Sequence, residues 1–264
     1  MNQIIHKEYS KFASYIETLP HRFEQGEGEV LHSGRNEVRC FRYQDMTFVV
    51  KRFKNVNFVQ QWAYTFFCKT KAERAYLYAA ELRERGIDTP HEVAYFEQKR
   101  CGLFLTGYFV CLHCACPTAF SMLEKEDEFN QTLAADLSAF IAVMHQKGIL
   151  FGDLNLGNFL YKQGADGHYS FVMVDTNRSR FCKGVPSLHQ RLKNLRTLTH
   201  RRDLFRFMME AYARVFGETS STFIVDAFRM LESFEKKRKF QHKLKDFFKN
   251  RKKLNNYLKE IGVI

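Results

Sequence analysis

The sequence predicts an α+β protein with a small antiparallel-sheet lobe followed by a mainly helical one. Three observations carry that expectation. Stretches at 28–43, 46–53, 92–98 and 102–110 alternate like strands, interrupted by a helical region at 58–85. Beyond residue 110 the spacing changes: Leu133, Leu137, Phe140, Ile141 and Met144 recur every three or four positions, as do apolar residues across 203–216 and 223–261. A chain of 264 residues, 45% hydrophobic and 27% charged, has material for a sizeable core and length for one large domain or two small lobes. The lobes are expected at 1–110 and 111–264.

Taken in order, residues 1–25 are too mixed to assign. Two strand-like pieces at 28–43 flank a polar turn, Ser33-Gly34-Arg35-Asn36, either an ordinary hairpin or one that lays backbone amides over an anion. The run from Met46 to Phe53 alternates and places Lys51 near its end, with Arg52 and Lys54 as neighbouring alternatives. The region 58–85 reads as one helix or two and ends at Gly86 and Pro90. Glu73 and Glu81 lie roughly on one helical face, each a partner for a cation or a solvated charge. Gly148 ends the helix over 133–144.

The most informative stretch follows. Ile149, Leu150 and Phe151 lead into Gly152-Asp153, and the residues from Asn158 to Tyr161 leave the turn as a strand. A hairpin tip at Gly164 to Gly167 returns the chain through a second strand, which delivers Asp175 to the same edge. Three oxygen-bearing side chains thereby converge. Asn158 and Asp175 suit a hard cation such as magnesium, which takes carboxylate and amide oxygens while phosphates supply further ligands. Asp153 can accept a hydrogen bond from an attacking hydroxyl. The bland alternative is a hairpin whose Asp and Asn only cap turns.

The phrase His145-x-x-Gly148-Ile149-x-x-Gly152-Asp153-Leu154, with Asp153-x-x-x-x-Asn158 and Asp175, resembles the catalytic loop and metal-binding aspartate of the protein-kinase-like superfamily. Within it, the continuation Asp175-Thr-Asn-Arg-Ser-Arg-Phe181 resembles the lipopolysaccharide kinases that phosphorylate Kdo or heptose of the inner core. The resemblance implies a two-lobed kinase-like fold using ATP and Mg2+. Asp153 is then the catalytic base, Asn158 and Asp175 the metal ligands, and Lys51 and Gly34 the contacts to ATP phosphates. Glu73, or Glu81, would hold Lys51, and a hinge near 108–111 would meet adenine. Arg178 and Arg180 would face the acceptor, at the head of a basic connection over 178–202. Four positions depart from the superfamily: Phe151 replaces a common histidine, Thr176-Asn177 a common Phe-Gly, and Asn155 a common basic or imidazole residue.

A formal net charge of +12 calls for an anionic partner. The expected one is a Kdo-lipid A type glycolipid at an anionic membrane surface, on the inner face of the cytoplasmic membrane. Residues 236–253 carry a net +9 beside Phe240, Leu244, Phe247, Leu254 and Leu258, a stripe suited to lipid or to docking on the lobe. No apolar run approaches the ~18 residues of a membrane span, and the amino terminus lacks a signal peptide's apolar centre, so a cytoplasmic protein is expected. Seven cysteines suggest free thiols; Cys111, Cys114 and Cys116 lack the second ligand pair of a usual zinc site. Competing readings are an aminoglycoside- or choline-type small-molecule kinase, a protein kinase disfavoured by the short second lobe, and a non-catalytic basic nucleic-acid- or lipid-binding pseudokinase. A nucleic-acid module leaves Asp153, Asn158 and Asp175 without a role.

Overall fold

The computed structural model describes residues 2–34, 36–53 and 57–260, with side chains to residue 247. Arg35 and Lys54, and the side chains of Leu254 and Leu258, lie outside the described residues.

The amino-terminal part contains β1 (Asn2–Ile5), a 3-10 turn (Lys7–Phe12), α1 (Ala13–Ile16), α2 (Leu19–Glu24), β2 (Glu29–Ser33), β3 (Glu37–Tyr43) and β4 (Met46–Phe53). After these come α3 (Phe58–Phe66), α4 (Lys71–Glu84), β5 (Glu92–Arg100) and β6 (Leu103–Leu112). The six strands form one antiparallel sheet in the order β1-β5-β6-β4-β3-β2. Its two faces are covered differently. Tyr9, Phe12, Ile16, Leu19 and Phe23 pack with Phe48, Val50, Phe96 and Tyr108 on one side. On the other, Ala72, Ala75 and Tyr76 of α4 pack with Phe53 and Tyr95. Residues 2–25, unreadable in sequence, thus supply an edge strand and a covering layer of the core. Their elements run only four to six residues, too short to display a period. Each fully buried aromatic or aliphatic side chain there contributes roughly 1.5–3 kcal/mol.

The second part holds α5 (Ala119–Leu123), α6 (Gln131–Gln146), β7 (Ile149–Leu150), β8 (Phe159–Gln163), β9 (Tyr169–Met173), β10 (Arg180–Phe181), α7 (Leu188–Leu195), α8 (Arg202–Phe216) and α9 (Phe223–Glu260). Helix α6 begins at Asn130, whose side chain accepts from Leu133 N, and ends before Gly148 at φ 75°. Its Leu133, Leu137, Ile141 and Met144 are buried with Phe159, Phe171, Leu204 and Met208 in one core.

Two expectations need correction here. Residues 178–202 are not a continuous basic connection: α7 starts in a capping box of Ser187 and Gln190, and Arg191 is buried. Arg191 donates to Tyr212 Oη and to Glu218, and its guanidinium stacks on Phe216, so this cation holds the lobe together. In α9, Phe223, Ala227 and Leu231 dock on the core, but Phe240, Leu244 and Phe247 do not; they stay exposed.

Candidate active site

Strand alternation decides which cation enters the cleft. Side chains of β4 point alternately to opposite faces. Phe48, Val50 and Arg52 face the amino-terminal layer, where Arg52 meets Glu24 at 2.5 Å and Glu37 at 2.6 Å. Val49, Lys51 and Phe53 line a cleft of about 660 Å³. Lys51 is therefore the β4 cation at the cleft.

Across it, β8 and β9 set the acidic side. Val174 N donates to Asn158 O at 3.0 Å, so the residues that open β8 and follow β9 sit side by side, and both Asn158 and Asp175 line the cleft. Asp175 adopts φ 60°, ψ 46°, a left-handed conformation that turns its carboxylate out of the strand direction. Lys51 Nζ lies 2.6 Å from Asp175 Oδ1, and Asn177 Nδ2 donates to the same oxygen at 2.5 Å. Thr176 and Asn177, which stand where the superfamily has Phe-Gly, are both buried. Asn158 Nδ2 donates to Asp153 O at 2.9 Å, so the amide presents its oxygen as the acceptor.

Asp153 is half-exposed beside this group. Asn155 Nδ2 donates to its backbone oxygen at 3.0 Å and to Oδ1 at 3.3 Å. The guanidinium of Arg178 lies 3.8 Å from Asp153 Oδ2, while Arg180 is exposed on β10. Gly152 makes this approach possible, since a Cβ at that position would lie 2.2 Å from Arg178 O.

The loop is held in part by Asn194 and Tyr212, which the motif does not contain. Asn194 of α7 brackets Phe151, accepting from its N–H at 3.2 Å and donating to its carbonyl at 2.6 Å. Asn194 Oδ1 also meets His145 Nε2 at 3.1 Å, and His145 Nδ1 meets Tyr212 Oη at 2.9 Å. Burial holds the His145 imidazole down to about 4, so it is neutral at pH 7. Phe151 is itself fully buried, an apolar anchor where a histidine is common. Gly152 and Asn155 lay within the legible motif, but Asn194, some 40 positions away, carried no signal.

The glutamates expected to hold Lys51 have other neighbours. Ala75 is the α4 residue that lines the cleft, and at about 100° per residue neither Glu73 nor Glu81 shares its face. Glu73 sits in the first turn, its N–H bonded to the capping Thr70 hydroxyl; burial and nearby Glu97 raise its carboxyl above the usual range. Glu81 pairs with Arg85 at 2.7 Å. The carboxylate that Lys51 meets is Asp175.

At the hairpin over the cleft, the lining residues are Leu31, His32, Asn36 and Val38; Gly34 lies between them in the turn. The end of β6 and the connector after it line the cleft with Cys111, Leu112, His113 and Cys114; of the stretch 108–111 expected to form a hinge, Phe109 and Cys111 line it. Tyr108 faces the opposite side, donating to Glu24 at 2.6 Å. Of the three thiols, the Cys114 and Cys116 sulfurs are 3.3 Å apart, and burial pushes the Cys111 thiol up to about 12. Among the described residues, the metal-type side chains that converge are His6, Glu8 and His91, away from the cleft.

The residues at the cleft fit a divalent cation, because a carboxylate and an oriented amide oxygen share one edge of it.

A small antiparallel sheet carrying a cleft lysine, set against a helical part that carries the Asp–Asn turn and a second aspartate, defines a protein-kinase-like fold. The family model of the lipopolysaccharide kinase (Kdo/WaaP) family matches residues 25–216, and the chain belongs to that family. Among solved structures, the chain is similar to WaaP in complex with acyl carrier protein, with 16% identity over 88% of this chain and 99% of that one, at a TM-score of 0.58. It is also similar to a Rio2 kinase in an ADP/Mg2+-phosphoaspartate complex from Chaetomium thermophilum, with 14% identity over 87% and 71% of the two chains and a TM-score of 0.47. No curated protein matches the sequence.

Proposed function

We propose that the protein transfers the γ-phosphate of ATP to a sugar hydroxyl of the lipopolysaccharide inner core, Kdo or heptose on lipid A. The observation that carries this reading is the convergence of Lys51, Asn158 and Asp175 on one cleft, with Asp153 beside them, in a chain of this family. The amino-terminal lobe, 1–110, and the lobe from 111 to 264 would contribute opposite walls.

In this reading adenine enters between the connector at Cys111 to Cys114 and the apolar side chains of Val49 and Leu160. Lys51 meets the nucleotide phosphates, and the β2–β3 turn containing Gly34 covers them. Asn158 and Asp175 would hold Mg2+, whose charge would offset that of the phosphates. Asp153 accepts the hydrogen bond of the attacking hydroxyl and aims it in line with the γ-phosphorus. Arg178 stands 3.8 Å from that carboxylate. Its guanidinium replaces the cation missing at Asn155 and offers a bidentate site for the transferred phosphate or for an acceptor anion. Arg180 extends the same basic edge.

An acceptor attached to lipid A places the enzyme against the inner face of the cytoplasmic membrane. Among the described residues no helix is long and apolar enough to cross a membrane. The exposed Phe240, Leu244 and Phe247 beside the tail lysines suit peripheral contact with anionic lipid. Labelled ATP offered with Kdo-lipid A, heptose-bearing core, small alcohols and peptides tests the whole reading. Label is expected only in the glycolipids; label confined to small alcohols rejects the proposal.

A further inference from the structure

Helix α3 is amphipathic in the wrong sense for a surface helix. Phe58, Val59, Trp62 and Phe66 fall within an arc of about 100° on a helical wheel, and that arc faces outward. They are exposed by 67%, 75%, 48% and 58%, and Phe67, just after the helix, by 80%. The inward side is the more polar one: Thr65 Oγ1 donates to Gln61 O and accepts from Phe104 N, and the Tyr64 ring meets Phe104. No residue of α3 is buried. Phe66 contacts both Trp62 and Phe67, making a surface aromatic cluster. Exposed apolar groups of this size and contiguity mark an interaction surface.

The surroundings select the partner. From Met46 to Ala72 the sequence contains no acidic residue. Lys69 beyond the helix is exposed, as are Lys99 and Arg100 of β5, and Lys99 pairs across the sheet with Phe104, the residue α3 packs on. Tryptophan and phenylalanine with a cationic rim suit the headgroup boundary of an anionic bilayer, where aromatic rings settle and lysines meet lipid phosphates. The helix also joins β4, whose Lys51 lines the cleft, to α4, whose Ala75 lines it.

We infer that the outward face of α3, with Phe67, inserts into the boundary of an anionic lipid bilayer and seats the amino-terminal lobe on the membrane that carries the acceptor. This deepens the glycolipid-kinase reading and rests on it for its purpose, but lipid insertion is measured without turnover. The basic tail supplies long-range attraction; α3 supplies the apolar anchor.

Trp62 is the only tryptophan, so its emission reports on α3 directly. The full chain is titrated with vesicles of phosphatidylcholine alone, phosphatidylcholine with phosphatidylglycerol, and the same mixture containing bromine-labelled acyl chains. A blue shift on the anionic vesicles and strong quenching by the brominated lipid are expected. The double variant Phe66→Ser, Phe67→Ser should bind those vesicles at least about tenfold more weakly, the loss set by two aromatic side chains that no longer leave water. Its phosphate transfer to acceptor dispersed in detergent should match the parent, which separates failure of the kinase reading from failure of the docking surface. Vesicle binding by the parent with unshifted, unquenched Trp62 overturns the inference, assigning attachment to the tail alone. Equal vesicle affinity of parent and variant overturns it as well. So does a Trp62 shift produced by an acidic carrier protein but not by vesicles, which makes α3 a protein-docking face.

Discussion

Lys51 Nζ and Asp175 Oδ1 are 2.6 Å apart, a pair only 17% and 30% exposed that links the sheet to the loop after β9. The same carboxylate oxygen accepts from Asn177, and Asp175 and Asn158 both line the cleft. Under the proposed function, a magnesium nucleotide would compete for both members of this pair, the metal for Asp175 and the phosphates for Lys51.

Asp175→Asn keeps the shape and removes the charge that both partners need. Magnesium-dependent nucleotide binding should be lost and turnover reduced by about 10²–10³. Calorimetric titration with a magnesium nucleotide analogue checks it; unchanged, magnesium-dependent affinity would show that the metal sits elsewhere.

Asp153 touches neither Lys51 nor the Asp175 carboxylate among the described contacts, so its role separates from nucleotide binding. Asp153→Asn should lower kcat by about 10²–10⁴ while nucleotide affinity stays within about threefold. Single-turnover transfer of labelled phosphate, paired with nucleotide titration, reads both. Persistent turnover would reject Asp153 as the base.

Arg178 approaches Asp153 from the segment that follows Asp175. Removing its guanidinium in Arg178→Ala should reduce kcat/KM for the glycolipid by about 10²-fold, and Arg178→Lys should restore only part, because an ammonium cannot form the bidentate pair. Steady-state kinetics of the two variants decide it, and full rescue by lysine would reduce the role to a point charge.

Gly152→Ala places a methyl group where Arg178 O stands. The catalytic turn or the following segment must then move, at a cost of about 1–3 kcal/mol in stability and at least about tenfold in turnover. Denaturant unfolding with an activity assay tests it; a variant equal to the parent in both would mean that the contact yields freely.

His145 gives a pH signature. Its folded value is about 4 against an ordinary 6.5, so between these the unfolded chain takes up a proton that the native one refuses. Stability from this group is present above about 6.5 and is lost as pH falls toward 4, at up to about 1.4 kcal/mol per pH unit and roughly 3 kcal/mol in all. Unfolding free energy measured at pH 7, 5.5 and 4.5 should show that slope in the parent and not in His145→Gln. Equal slopes would assign it to other groups.

The separation of strands from helices was legible because alternation on β4 and three-and-four spacing on α6 are written directly in the chain. So were the Asp153-x-x-x-x-Asn158 turn and the strand that carries Asp175, since local hairpin geometry fixes which residues share its open end. The choice of Lys51 over Arg52 is a matter of parity along a strand, but which parity faces the cleft depends on the layer formed by Tyr9, Phe12, Ile16, Leu19 and Phe23. The partner of Lys51, the clasp of Asn194 on Phe151 and the approach of Arg178 to Asp153 came only with the tertiary structure. Each joins residues whose separation along the chain gives no periodic signal. The outward face of α3 was settled the same way: sequence spacing groups its apolar residues into one stripe, and only packing of Thr65 and Tyr64 on Phe104 determines that the stripe meets solvent rather than core.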